Sequence, residues 1–282
     1  VTSSSSKANR DATCQLCLMD NEIILKDILI EKKIELLPYV SATLSGERNN
    51  YSDNLEFKNN NFNYGLGINF DINKNLSIEA TINPDFSQVE SDVTKIDINS
   101  PTAINYPEQR PFFNKGVDAL DFEINVFNSR SINDPSFASK ILNQGRKSRI
   151  YFLTAIDNET PYLAPSEFES FQALGRKSFN NIFRYQNFID EKTQFGLISL
   201  NRIYDGGGYG NTFGADALFN FADVWKFSIE GFINYNKEPV ANWIDSDKRF
   251  GDYSFNLDGE TFNGYSFFSE IRRETETVSY TH

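Results

Sequence analysis

Residues Phe62–Ile72 read FNYGLGINFDI. Phe62, Tyr64, Leu66, Ile68, Phe70 and Ile72 fall on one side of an extended chain. Asn63, Gly65, Gly67, Asn69 and Asp71 fall on the other. Six apolar residues at a period of two demand a strand with one greasy face. The eleven residues also match the roughly 9–11 that a tilted strand needs to cross a bilayer.

Working outward, NKN turns the chain. Leu76, Ile78, Ala80 and Ile82 then alternate with Ser77, Glu79, Thr81 and Asn83, which predicts a hairpin. The same period recurs before it at Leu36–Ser45. It returns at Phe179–Phe188 and Gln194–Arg202 around IDEK, at Phe213–Phe221 and Trp225–Tyr235 around AD, and at Thr261–Ile271. Short turns follow Ile72, Phe188 and Phe221. Long polar connections are expected at Gly46–Asn61, Asp157–Lys177, Ile203–Asn211 and Asn236–Glu260. Short turns at one end and long loops at the other are the pattern of an antiparallel up-and-down β-barrel of outer-membrane type. A soluble antiparallel barrel or sandwich alternates in the same way and is the competing architecture. Long strands rich in outward aromatics favour the membrane barrel.

Bulk composition is compatible with this. Mean hydropathy is -0.47 and no run is apolar and long enough for a transmembrane helix, whereas a spanning β-barrel averages out to such a value. A formal charge of -12 speaks against nucleic acid as a partner, because that binding neutralises phosphates with Lys and Arg. Solvation is the plainer use of the charge.

The chain starts at Val1, with no charged and apolar leader of the secretory kind in view. Residues 1–24, opening on VTSSSSKANR, read as a disordered or non-native leader, and 25–282 as a partial barrel domain. Cys14 and Cys17 make one Cys-x-x-Cys unit. With no second pair and a single terminal His282, four zinc ligands are not available.

One stretch breaks the alternation: Asn83–Phe113, NPDFSQVESDVTKIDINSPTAINYPEQRPFF, which holds four of the nine prolines. Proline is excluded from central strand positions. Up-and-down strands must also meet short turns and long loops in strict alternation. Between Ile82 and Phe179 there are three candidate strands, Leu120–Asn128, Ser139–Asn143 and Arg149–Ile156, one too many. The last two form a natural hairpin around QGRK, so residues 83–137 are expected not to span but to lie as a plug or rim segment.

The same stretch carries a resemblance. ELLPYV, GLGINFDINKNLSIEATINPDFSQVESD, YPEQRPFF and FNSRSI, in this order, resemble an uncharacterised bacterial family. Its members join an N-terminal domain similar to family-nine carbohydrate-binding modules to a C-terminal region of unknown function, of outer-membrane β-barrel type. The resemblance runs from about Leu25 to the end. It implies a Gram-negative outer-membrane location, outer-membrane lipid as a partner, and carbohydrate contact through a missing N-terminal domain. It also implies further strands beyond His282, so the chain is expected to be a fragment with an open edge.

No catalytic residue follows from the sequence. A Ser-His-Asp triad lacks an internal His. Asp85, Glu90, Asp92 and Glu108 are the acids available for a glycan hydrolase using paired carboxylates. Asp85, Glu90 and Asp92 are also the candidates for a calcium site, without an EF-hand pattern. The plainer reading is a structural or binding motif of Asn83, Pro84, Asp85, Phe86, Glu90, Asp92, Glu108, Arg110, Pro111, Phe112 and Phe113. Its carboxylates would pair with Arg110, Arg130 or Arg149 and its phenylalanines would wedge it in the lumen. DGGGYG at Asp205–Gly210 lacks the Lys and following helix of a phosphate loop. Trp225 suits an interface belt at a strand start, and Trp243 is either a belt residue or a sugar-stacking platform.

The function expected is therefore an integral outer-membrane scaffold or conduit, linked to surface glycan handling and without chemistry or cofactor of its own. The rival is a membrane-associated glycan hydrolase using the carboxylates of 83–113.

Overall fold

The computed structural model describes residues 32–48, 56–86, 108–165, 170–190, 193–221, 224–274 and 279–281. The leader 1–24 with Cys14 and Cys17, and the acids Glu90 and Asp92, lie outside them.

The protein is all-β. Its strands are β1 (Lys33–Glu47), β2 (Glu56–Asp71), β3 (Leu76–Ile82), β4 (Pro135–Gln144), β5 (Ser148–Asp157), β6 (Thr160–Pro165), β7 (Ser170–Gly175), β8 (Ser178–Phe188) and β9 (Thr193–Tyr204). They continue with β10 (Tyr209–Phe221), β11 (Trp225–Lys237), the short pieces β12 (Val240–Ala241), β13 (Arg249–Phe250), β14 (Tyr253–Ser254) and β15 (Leu257–Asp258), then β16 (Thr261–Glu274) and β17 (Ser279–Thr281). Eleven of them form one sheet in the order β1-β2-β3-β4-β5-β8-β9-β10-β11-β16-β17. Every neighbour is antiparallel, which is an up-and-down meander. β1 and β17 do not pair with each other, so the sheet is not closed.

Register makes the two faces coherent. One cross-strand row runs Ile34, Phe70, Ile78, Ile141, Phe152, Phe183, Ser199, Phe213, Ile233, Tyr265, apolar at every strand but one. These side chains look away from the core: Ile34 is 64% exposed, Phe183 42% and Tyr265 86%. The adjacent row faces inward and runs Glu35, Asn69, Glu79, Lys140, Leu153, Ile182, Leu200, Thr212, Asn234, Gly264.

At the short-turn end the outward face carries an aromatic cluster. Phe195 and Phe219 have centroids 5.3 Å apart, Phe219 and Phe227 are 6.2 Å apart, and Phe221 stacks on Trp225 at 6.4 Å. The NKN turn is held by Asn73, whose Oδ1 accepts from the N–H of Asn75 and Leu76 at 2.9 and 3.0 Å.

Four connections differ from expectation, the first being 46–61, which narrows to 48–55 because β1 reaches Glu47 and β2 starts at Glu56. The predicted 203–211 loop is a four-residue turn, because β9 and β10 extend to Tyr204 and Tyr209. Gly206 and Gly207 adopt φ of 103° and 89° there, a conformation that costs other residues a steric clash. The connection after β5 contains the β6–β7 hairpin, and that after β11 contains β12–β15. Together they build a second small core of Ile244, Phe255 and Leu257, with Trp243 packed among Tyr162, Ala173 and Phe171. Trp243 thus serves packing, lying so close over Gly175 that a Cβ there would be 2.5 Å from its ring.

Leu120–Asn128 is not a strand, and β3 pairs directly with β4. The segment between β3 and β4 ends at 134 rather than 137, since Pro135 opens β4. Its described part, 108–134, is a strap. It holds a helical turn Pro111–Asn114 and 3-10 turns Val117–Leu120 and Ser129–Ser131. The strap lies on the inward face, where Phe113, Leu120 and Ile132 join Leu142, Tyr151, Leu153, Ile182, Ile198 and Phe232 in the main core.

Candidate functional site

Arg110 organises the start of the strap. Its side chain is 3% exposed, and its Nε and Nη2 donate to the two carboxylate oxygens of Glu108 at 3.0 and 2.9 Å. Nη1 donates to the Ile132 carbonyl at 2.7 Å and Nη2 to the Ser129 carbonyl at 2.9 Å. The guanidinium lies 4.2 Å from the Phe113 ring centroid and 5.2 Å from that of Phe86. One planar fork therefore ties both ends of the strap together, a geometry that Lys could not reproduce.

The carboxylate of Glu108 also accepts from Ser129 Oγ and from the Arg110 N–H. Burial pushes its pKa up, but hydrogen bonds and charge from Arg110 outweigh that and hold it below the ordinary range. Pro111 starts the helical turn, where its missing N–H is harmless. Phe112 meets Phe113 edge to face at 5.2 Å.

Asn83 closes β3 with φ of 48°, a conformation Asn tolerates, and its Nδ2 donates to the Tyr64 carbonyl at 2.9 Å. Pro84 and Asp85 carry the chain on from there, and Phe86 packs against Phe113 at 5.9 Å. The fold thus unites Phe86, Glu108, Arg110, Phe112 and Phe113, with Asn83 at the adjoining strand end. Arg149 pairs with Asp118 of the strap at 2.8 Å.

Four further anchors come from inward positions of the sheet. Lys140, fully buried, pairs with its cross-strand neighbour Glu79 at 3.0 Å and donates to the carbonyls of Lys115, at 2.9 Å, and Phe112. Lys115 reaches Glu79 as well. Arg184 forms a two-pronged pair with Asp216, donates from Nε to the Ala119 carbonyl at 3.0 Å, and stacks on Phe122 at 4.6 Å. Gly196 permits this pair, since a Cβ there would fall 2.2 Å from the guanidinium.

The carboxylate of Glu230 accepts from the N–H groups of Glu123 and Ile124, both at 3.1 Å. That of Asp157 accepts from Asn133 and Asp134 at 2.9 and 2.7 Å. Sequence alone does not distinguish any of these anchors. The available signal was their place on the polar side of alternating strands, where Lys, Arg, Asp and Glu interrupt Ser, Thr and Asn.

Two other arrangements bear on chemistry. A groove of about 550 Å³ runs over the strap between Glu108, Asn114, Asp118, Asp121 and Asn125. Among the described residues, Glu238, Asp258 and Glu260 bring carboxylate oxygens within 4.8 Å of one another. Glu238 Oε1 there accepts from the N–H of Asp258, Gly259 and Glu260 at 2.9, 3.2 and 3.2 Å, so the residue after β11 caps the turn that leads from β15 into β16. Burial raises the Glu238 pKa, the backbone donors partly opposing it.

The fold and anchors define a class: an antiparallel up-and-down β-sheet with a strap fastened on its inward face. Residues 32–150 match the family model described as a domain of unknown function, DUF5916. The matched span is less than half of the chain and runs from the start of β1 into β5, so it takes in the whole strap. No curated protein matches the chain.

Proposed function

We propose that this chain forms part of the wall of an outer-membrane β-barrel of a Gram-negative bacterium, as an integral scaffold or conduit whose strap is fixed against the lumen side. The observation carrying the proposal is the partition between faces. Apolar rows lie exposed on one side of the sheet, while Lys140, Arg184, Asp157 and Glu230 are buried on the other. A soluble protein hides the first kind of group and exposes the second. A barrel wall in lipid does the reverse, with a polar interior and aromatic girdles at the interfaces. The strands of twelve to sixteen residues at β2, β9, β10 and β11 exceed the roughly 9–11 needed to cross.

Glycan hydrolysis by the carboxylates of 83–113 finds less support, since Glu108 is occupied by Arg110 and Ser129. Outer-membrane fractionation of the intact protein, followed by gel migration in detergent before and after boiling, tests the proposal. Residence in the outer-membrane fraction with a heat-dependent shift is expected. A soluble protein with unchanged migration would overturn it.

A further inference from the structure

At the long-connection end a second cavity, about 290 Å³, opens between the strap and the inward face of β8–β11. Phe127 and Asn128 of the strap line it, facing Arg202, Tyr204, Thr212 and Asn236. Its chemistry differs from the rest of the inward face. A neighbouring cavity beside Arg184 is lined by five carboxylates, Asp121, Glu123, Asp216, Glu230 and Glu270, whereas this one has none. Its polar lining is amide, hydroxyl and one guanidinium.

Several of these groups hold hydrogen-bonding capacity that the described residues do not use. Asn128 accepts from the Arg130 N–H at 3.0 Å through Oδ1, which leaves its Nδ2 pair of donors. Arg202 donates from Nε to Asn180 and from Nη2 to the Ser131 carbonyl and hydroxyl at 3.0 and 2.7 Å, which leaves Nη1. Thr212, Tyr204 and Asn236 carry no side-chain hydrogen bond among the described residues. Asn236 lies across Gly210, where a Cβ would stand 3.2 Å from its Oδ1, so the wall is kept low beside the amide. Phe127 supplies an apolar surface in the same cavity.

We infer that this cavity binds a saccharide unit. Amides and hydroxyls both donate and accept, as sugar hydroxyls do, and an aromatic face suits the C–H side of a sugar ring. A site for a simple anion would concentrate positive charge, and a cation site would gather carboxylates. A purely apolar ligand would leave the polar groups unpaired. The inference is independent of the membrane proposal, because the cavity lies on the inward face in either case.

The test is calorimetric titration of the intact protein in detergent with glucose, galactose, N-acetylglucosamine and glucuronate, with cyclohexanol as a ring of similar size carrying one hydroxyl. Saturable binding of at least one sugar is expected, at about millimolar dissociation constant, with none for cyclohexanol. Thr212→Val together with Asn236→Leu should weaken that sugar about tenfold. Thr212→Val alone, nearly isosteric, should weaken it about threefold and serves if the pair disturbs folding. Failure of all four sugars to saturate would overturn the inference. So would equal binding of cyclohexanol, or unchanged sugar affinity in Thr212→Val.

Discussion

The two faces of the sheet obey opposite rules. Phe183, Phe213 and Ile233 stand exposed on one face, in one cross-strand row with Phe152, while Lys140 and Glu79, one residue along the strands, are sealed under the strap. Among the described residues the apolar face stays largely exposed, so its stability depends on the solvent it meets. The inward face depends on ion pairs and an apolar core that together exclude solvent. Stability on one side is therefore a property of the surroundings, and on the other a property of the covalent chain.

The sharpest test of the charged face is Lys140→Met. The Lys140 ammonium is the neutralising partner buried with Glu79, and it also fastens the strap through two carbonyls. Met replaces its volume but leaves the buried Glu79 carboxylate only the half-exposed Lys115, and breaking a buried pair from one side costs up to about 3–5 kcal/mol. A loss of that size in the unfolding free energy from urea titration is expected, with partial recovery on adding Glu79→Gln. A loss below 1 kcal/mol would mean that water reaches the pair.

The apolar face breaks differently. Phe183→Arg, in the middle of the outward row, should cost about 2–4 kcal/mol in a lipid bilayer. At a water-exposed surface the same change is worth about 0.5 kcal/mol or less. Refolding wild type and variant into lipid vesicles, and titrating with urea, separates the two. An unaffected variant would place this face in water and remove the support for a barrel wall.

Legibility in the sequence divides along the same line. The outward face was plain because period-two alternation is local: Phe62–Ile72 and Trp225–Tyr235 each announce a strand without reference to any other. The strap was legible as an exception, through its prolines and the parity of the connections. The anchors were not, because a pair is a property of register between distant residues. Glu230 meets Glu123 across 107 residues, and Arg184 meets Asp216 across 32. The glycines of Asp205–Gly210 misled in the other direction, reading as a long loop where positive φ lets two strands turn in four residues.

Glu230→Gln sharpens the comparison at the strap's midpoint. Two carboxylate oxygens each accept a strap N–H, and an amide retains only one good acceptor. One buried N–H is left unpaired, for an expected loss of about 1–2 kcal/mol. Faster amide exchange at Glu123 or Ile124, with the strands unchanged, is the signature to look for. Uniformly faster exchange throughout the sheet would mean that the strap and the sheet are one cooperative unit.

The smallest effect should come from Glu108→Gln, and its pH dependence is what identifies it. The folded carboxyl sits below the ordinary range, because Arg110 and Ser129 outweigh its burial. A depressed acid contributes stability that is complete above its unfolded pKa and disappears as pH falls through the folded one. At neutral pH the wild type should therefore exceed Glu108→Gln by about 1 kcal/mol, the value of one charge-assisted bond in excess of a neutral one. The gap should persist down to the ordinary carboxylate pKa and close only below it, when Glu108 itself becomes neutral and the two side chains are nearly equivalent. Urea midpoints for both proteins from pH 7 to pH 3 measure the gap directly. A gap that stays constant across the acid range would assign the loss to packing around Arg110 instead of to charge. The strap would then be held by the stacking of its guanidinium between Phe86 and Phe113.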